Sequence, residues 1–412
     1  MMKTAFLKIF LILLLPVSAF GRTIVVSPRS PVTTLKQAIT IANNGDTIIV
    51  KKGAYTSLNT IVNKPLTILG QDKPVLDARF QEEVVTITSD HVKFDGFVIQ
   101  NTKIGSMRDY AGIRLSNVEF VTISNNILVN NFFGIYLSNC KNIEVLHNHI
   151  TGSNNIENSG NGIHLWKCWH ILIRGNYITK HRDGIYFEFA KKSLIEDNFS
   201  EKNIRYGLHF MFSDDDTYRH NTFKNNGSGV SVMYTRRIKM LNNTFIENWG
   251  SSIYGVLLKE ITDARIEGNH FIRNTTAIYM ENSDRVTVLN NDFISNGWAI
   301  RVLASCNNNN FKQNNFKGNS FDVTTNGTLK NNYFINNYWD KYEGYDLNKD
   351  GTGDIPYHPI SLYAQIIEQN PPSVMLMRSF IVNLLDKVER AIPSLTPESV
   401  RDDKPKMKPW KR

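Results

Sequence analysis

The stretch "RYGLHFMFSDDD" places an imidazole and a thioether two residues apart, at His209 and Met211. Met233 follows 22 residues after Met211 in "GVSVM", and His164 and Trp166 take the matching places of "GIHLW". Imidazole plus thioethers is a donor set for Cu(I), a soft ion, rather than for Zn²⁺, Ca²⁺ or Mg²⁺. Only the neutral imidazole, with an ordinary pKa of about 6.5, is a ligand, so such a site weakens in acid. On spacing alone the commoner meaning of this cluster is an aromatic and thioether contact surface, and the metal reading comes second.

A repeat is what would bring these residues together. A Gly/Ala-apolar step recurs at Gly112, Gly134, Gly162, Gly184, Gly207, Gly229, Gly255, Ala277 and Ala299, at spacings of 22, 28, 22, 23, 22, 26, 22 and 22 residues. The two long intervals are loop insertions, one of them containing "TGSNNIENSG". A second marker, an Asn two before an apolar residue, appears at Asn125, Asn148, Asn176, Asn221, Asn243, Asn269, Asn291, Asn314 and Asn332, with Asp197 standing in once. Between the markers, residues alternate apolar and polar in short pieces, as in Ile143, Val145, Asn148 and Ile150. That is strand periodicity broken by turns, with no helix between, and the template of a leucine-rich repeat is missing. The fold expected is all-β, a right-handed parallel β-helix with coils of about 22 residues, whose inward Asn side chains bond along the stack. "TTLKQAITIA" puts Leu35, Ala38, Ile39 and Ala42 on one face of a short capping helix ahead of the first coil.

With the step residue as origin, positions +1 and +3 point inward, and positions +2 and +4 point outward. The +2 column reads Arg114, Tyr136, His164, Tyr186, His209, Ser231, Leu257, Tyr279 and Arg301. The +4 column reads Ser116, Ser138, Trp166, Glu188, Met211, Met233, Lys259, Glu281 and Leu303. Parallel β-helices often carry polysaccharide-cleaving sites, whose carboxylates stand about 5 to 9.5 Å apart. Glu188 and Glu281 lie four coils apart, roughly 19 Å at about 4.8 Å per coil. Asp214, Asp215 and Asp216 read as a solvated turn. The chain is therefore not expected to be an enzyme, and a carbohydrate-binding or polysaccharide-cleaving role is the alternative.

The first residues, "MMKTAFLKIFLILLLPVSAFG", read as an export signal over 1–21. Their apolar run of about nine residues is far short of the roughly 20 needed to span a bilayer. Losing Lys3 and Lys8 lowers the net charge from +9 to +7, a modest excess with no basic stripe, so nucleic acid is not expected as a partner. Cys140, Cys168 and Cys306 make no disulfide scaffold. Cys140 and Cys168 share one column and read as stacked small residues, with Cβ separation near a full strand spacing disfavouring a bond between them.

The solenoid is expected over 22–345 and a C-terminal extension over 346–412. In the extension, Asp346, Asn348, Asp350 and Asp354 resemble the start of a Ca²⁺ loop, although Tyr357 takes the place of the closing glutamate and a metal-free turn is the commoner outcome. Leu376, Phe380, Leu384, Val388 and Ile392 follow i, i+4 spacing, with Met377, Ile381 and Leu385 beside them, predicting an amphipathic helix over about 374–392. Arg378, Asp386, Lys387 and Arg390 rule it out as a membrane span. With the basic end (Lys404, Lys406, Lys408, Lys411 and Arg412), residues 371–412 read either as a separable docking tail or as a helix folded back over the last coil.

The segments "DGIYFEFAKKSLIEDN", "RYGLHFMFSDDD", "GVSVMYT", "YGVLLKEI", "NNYWDKYEGYDLNKDGTGDIPY" and "DKVERAIPSLTPE" together resemble the NosD family. The resemblance covers essentially the whole mature chain, and a generic β-helix repeat requires none of these motifs. It implies a periplasmic accessory protein of nitrous oxide reductase maturation in denitrification, a metallochaperone supplying copper to that enzyme's copper centres. The partners it implies are an ABC transporter permease and ATPase, a copper-carrying lipoprotein and nitrous oxide reductase. It does not fix copper ligands, so His209, Met211, Met233 and His164 stand as candidates, with Trp166 as an outer member.

Overall fold

The computed structural model describes residues 21–412 apart from 106, 154, 156–159, 251–252, 330, 378 and 392–399. The expected export signal lies outside the described residues apart from Gly21. The rest forms a parallel β-solenoid of three long sheets. Sheet I runs from Thr23–Val26 to Tyr333–Ile335, sheet II from Ala54–Thr56 to Tyr338–Trp339, and sheet III from Thr60–Val62 to Phe321–Thr324. Each coil gives one short strand to each sheet, and every strand pair is parallel and in register. Ile135 sits between Ile113 and Ile163, and Leu137 between Leu115 and Leu165.

Stacking like on like fills the interior. Phe223, Phe245, Phe271, Phe293, Phe316 and Trp339 form one continuous column, with successive centroids 5.5, 4.7, 5.0, 4.8 and 4.0 Å apart. At the turn between sheets I and II a buried ladder runs through Asn126, Asn148, Asn176, Asn198, Asn221, Asn243, Asn269, Asn291, Asn314 and Asn337. Each Oδ1 accepts both the backbone N–H and the side-chain Nδ2–H of the Asn one coil earlier, as in Asn221 to Asn243 at 3.0 Å each. The expected ladder is thus shifted at three places. Asn125 and Asp197 sit one residue early, in left-handed backbone conformation (φ 53° and 57°), while Asn126 and Asn198 turn inward. Asn332 belongs to a separate column with Asn309. A second ladder, unnoticed in the sequence, links Asn203, Asn226, Asn248, Asn274, Asn296 and Asn319 between sheets II and III.

Both ends are closed. Helix Leu35–Ile41 forms as expected, its Thr34 hydroxyl and Gln37 side chain making a reciprocal cap and Leu35, Ala38 and Ile39 buried. At the other end the chain departs from expectation. The basic terminus is no free tail, because Asp402 and Lys406 pair with Phe334 and Tyr338 as the next layer of the solenoid. The buried Asp402 carboxylate ends the first ladder, accepting from Asn336 N–H at 3.2 Å, Asn337 N–H and Nδ2–H at 3.0 Å each, and Trp339 Nε1–H at 3.1 Å. Trp410 exchanges hydrogen bonds with Asn315, and Arg412 reaches Asp292. Residues 371–412 are therefore not separable from the β-helix.

The single helix expected over 374–392 is two elements, and a further helix comes before them. Helix Leu362–Gln369 precedes a 3₁₀ turn, Pro371–Leu376, and helix Phe380–Ala391 follows. Pro371 and Pro372 supply no N–H to continue the first helix, and the Ser379 hydroxyl accepts Val382 N–H to start the last. These elements pack Tyr363, Ala364, Ile367 and Val382 against Phe321 and Trp298 on the outer side of sheet III, and Glu368 pairs with Arg301 at 2.9 Å.

Replacing Asp402 by Ala takes the acceptor from three buried donors, each worth about 1–3 kcal/mol, and from the part-buried Asn336 and Lys404 N–H groups. Asp402→Ala is expected to lower unfolding stability by about 3 kcal/mol or more, and Asp402→Asn, which keeps one accepting oxygen, by clearly less. Urea unfolding of both variants measures the difference, and equal losses would mean that the carboxylate does not anchor the ladder.

Candidate functional site

Strands Asp183–Glu188, Tyr206–Met211 and Ser228–Met233 are neighbours in sheet III. Their inward residues Ile185, Leu208 and Val230, with Phe187, Phe210 and Val232, are fully buried in the core, which sends the alternate side chains outward. Register then aligns Tyr186, His209 and Ser231 in one column, and Glu188, Met211 and Met233 in the next. Three of the four expected ligands therefore meet on two adjacent coils.

Outward is not exposed here. His209 is only 5% accessible and Ser231 is fully buried, because a second outward column, one residue before each glycine, closes against them. Tyr206 of that column lies 4.8 Å from the His209 ring, and Tyr186 packs edge-on at 5.0 Å. Asp183 of the same column is fully buried and held by Arg205, Nε to Oδ1 at 2.9 Å and Nη2 to Oδ2 at 2.5 Å. Burial alone would raise the Asp183 pKa, but contact with His209 and Arg205 outweighs it and holds the carboxyl below its ordinary range. Its Oδ2 stands 3.5 Å from His209 Nδ1, within ion-pair reach and longer than a formed hydrogen bond. Both His209 ring nitrogens and Ser231 Oγ have no hydrogen-bond partner. The Met211 sulfur receives the Tyr186 hydroxyl at 3.6 Å.

A buried, orphaned imidazole nitrogen beside two thioethers fits a soft monovalent ion. His209 Nε2 with the sulfurs of Met211 and Met233 would hold it, and Asp183 would stand behind the other ring nitrogen. Among the described residues no three His, Cys, Asp or Glu side chains converge on one point, so the thioethers are indispensable to any such site.

His164 is placed differently from expectation. It lies in the His209 column two coils back, sandwiched between Tyr136 and Tyr186 at 4.4 and 4.9 Å, so the Tyr186 ring separates the two imidazoles. Its Nδ1 accepts from the Asn161 amide at 2.9 Å, and burial, aided by the Arg182 charge, drives its pKa down to about 3. It is a neutral rung in a stack that Arg114 begins over Tyr136, not a fourth ligand. Trp166 sits beside Glu188, under Lys167.

The other flagged groups resolve as follows. Asp346, Asn348, Asp350 and Asp354 turn their oxygens onto backbone N–H groups of their own loop. Asp214 and Asp215 pair with Lys191 and Arg237 in the turn, whereas Asp216 points into the core, accepts Ser193 N–H, and has its pKa raised well above the ordinary carboxyl value by burial. Cys140 and Cys168 are free, buried thiols. Beside Met211 and Met233 runs a half-exposed stripe of Phe189, Phe212 and Tyr234, stacked at 5.3 and 5.1 Å. All three adopt φ of 52–55°, a conformation that costs a side-chain-bearing residue roughly 1–2 kcal/mol.

The residues missed in the sequence are Asp183, Arg205 and Tyr206, while Tyr186 was placed in the His209 column without a role. A signal was present. Extending the outward columns one residue before each step glycine puts Asp183 and Tyr206 alongside His209.

Comparison with known proteins now bears on the site. A family model described as "Periplasmic copper-binding protein (NosD)" matches residues 146–344, a span that contains His209, Met211 and Met233. A "Probable ABC transporter binding protein NosD" of Pseudomonas aeruginosa is 28% identical over 404 residues, covering 86% of this chain and 87% of the relative. One of the same description from Stutzerimonas stutzeri is 27% identical, covering 86% and 85%. Among solved structures, the catalytic unit of an alpha-1,3-glucanase from Streptomyces thermodiastaticus superposes with a TM-score of 0.59 at 14% identity, covering 74% of this chain and 65% of that one. An alginate lyase from Paenibacillus gives 0.51 at 16%, covering 64% and 99%. At such identities the solved structures share the fold alone. The family model and the two relatives, matched along most of their length, make this chain similar to the NosD family.

Proposed function

We propose that the protein handles Cu(I) in the periplasm as cargo, holding it at His209, Met211 and Met233 for transfer in nitrous oxide reductase maturation, together with an ABC transporter. The observation that carries this reading is the buried, unpartnered His209 ring two residues from Met211, whose thioether is in register with that of Met233, within the span that matches a copper-binding family. A neutral imidazole and two sulfurs bind a soft ion without adding charge, so the ion can leave by ligand exchange with a donor or acceptor protein. In this reading the chain is a binding protein. On the outer face of these coils Asp183 is locked by Arg205, and Glu188 and Glu281 remain four coils apart, so no carboxylate pair is free for glycosidic acid–base work. The stacked stripe also argues against sugar, since Phe189, Phe212 and Tyr234 cover one another's faces and offer edges to a protein partner instead.

The partner surface for the transporter in this reading is helix Phe380–Ala391. The helix packs inward through Val382 and Leu385, so the stripe marked by the sequence faces solvent. Phe380 is 79% and Ile381 67% accessible, with Leu384, Val388, Met375 and Leu376 also exposed. Among the described residues no helix is long and apolar enough to cross a membrane. An apolar helix face on a folded support suits the permease of the transporter, with the lipoprotein and the reductase as the copper donor and acceptor.

Anaerobic titration of the mature chain with Cu(I) against a competing chelator is expected to show binding that Met211→Leu/Met233→Leu abolishes while the fold is kept. Unchanged affinity in the double variant would return the cluster to a contact surface. Phe380→Glu/Leu384→Glu is expected to abolish co-purification with the permease at unchanged thermal stability, because both side chains are exposed. Retained co-purification would locate the transporter contact elsewhere. A deletion of 371–412 cannot serve as this test, since it removes Asp402.

A further inference from the structure

The Cu(I) reading takes no ligand from Asp183 or Arg205. The column before each step residue reads Ala111, Phe133, Asn161, Asp183, Tyr206, Ser228, Tyr254, Thr276 and Trp298, so Asp183 is its one carboxylate. A carboxylate fully removed from water is destabilising unless paired, and an ion pair of this kind is on average no better for stability than an apolar replacement. Arg205, at 45% side-chain exposure, could satisfy itself in solvent. The pair therefore asks for an explanation other than stability.

Geometry supplies one. Arg205 grips Asp183 through two nitrogens and fixes the direction of Oδ2, and that oxygen faces His209 Nδ1 at 3.5 Å. Tyr186 and Tyr206 hold the imidazole from two sides, so the ring cannot turn away. We infer that Asp183, oriented by Arg205, is a positioning residue that keeps the His209 proton on Nδ1 and so presents a bare Nε2 to the ion. The inference rests on the Cu(I) reading of the site. Histidines that bind metals commonly donate the second ring N–H to a carboxylate, which fixes the tautomer and raises basicity at the ligating nitrogen. In the metal-free chain the contact is 3.5 Å and Nδ1 has no formed hydrogen bond, so Asp183 would act on the ring as the nearest acceptor to Nδ1–H. Arg205 has the further effect of keeping Asp183 from becoming a hard, charged ligand itself, which would favour divalent ions over Cu(I).

Two measurements test this. The first is ¹⁵N NMR of the imidazoles in the metal-free mature chain, with His209 assigned by its loss in His209→Gln. The proton is expected on Nδ1, and a proton on Nε2 would overturn the proposal. The second is Asp183→Leu, near in volume, with Arg205 free to turn to water. Its Cu(I) affinity by chelator competition is expected to fall about 10–100-fold at unchanged thermal midpoint, as for other outer partners of metal-binding histidines, with the His209 tautomer no longer fixed. Affinity within twofold of the parent chain would reject the positioning role. If Asp183→Leu fails to fold, the tautomer of the parent chain still decides. The Cu(I) reading fails separately, by unchanged affinity in the Met211/Met233 variant, whatever the tautomer.

Discussion

The amide hydrogen bond that each ladder Asn passes to the next coil is the constraint on which the rest depends. A parallel coil that slipped by one residue would turn its apolar positions outward and its polar ones into the core. Asn221, Asn243 and their equivalents forbid that slip, because each Oδ1 must meet both a backbone and a side-chain N–H one coil away. With register fixed, positions 22 or 23 residues apart become neighbours about 4.8 Å apart. Met211 and Met233 are brought together by nothing local. They meet because two ladders and a phenylalanine column hold the coils that carry them.

That dependence explains what the sequence could reveal. Gly207 and Gly229 mark the same point of successive coils, so counting outward from them places His209, Met211 and Met233 without coordinates. Where counting failed, a local backbone choice was responsible. Asn125 and Asp197 take left-handed φ, so the ladder residue is the next one, and any rule based on the first Asn is one place off. Asp183 was missed because the residue before each glycine also turns outward, against simple alternation. His164 obeyed the counting, but Tyr186 between it and His209 fills the space a shared ion would need. The cap was illegible for a different reason. Asp402 is about three coils' length of sequence from Asn337, and no periodicity announces a segment that returns from so far to accept the last Asn.

The helical extension shows the same limit in another form. The i, i+4 spacing of Phe380, Leu384 and Val388 was real, yet spacing cannot say which face a helix buries. Val382 and Leu385 settled against the cluster around Phe321 and Tyr363, leaving the stronger stripe in water. Exposing Phe380 and Ile381 carries a solvation penalty that folding does not recover, as large contiguous apolar surfaces on single chains usually indicate a partner.

Departures from the repeat are not spread evenly, and their distribution ties the two ideas together. Asp183, His209, Met211, Asp216 and the stripe Phe189, Phe212 and Tyr234 fall within three coils, where sibling coils carry Asn117, Asn139, Lys167, Glu260 and Asn282, none of them aromatic, in the strained left-handed position. A solenoid propagates stability from coil to coil, so a few coils can tolerate a buried carboxylate, an orphaned imidazole and strained aromatic turns while uniform neighbours hold their register. The ladders through Asn198, Asn221 and Asn243 and through Asn203, Asn226 and Asn248 run unbroken beneath this stretch. All of these side chains but the inward Asp216 thus sit on the outer wall of coils whose register the two ladders hold.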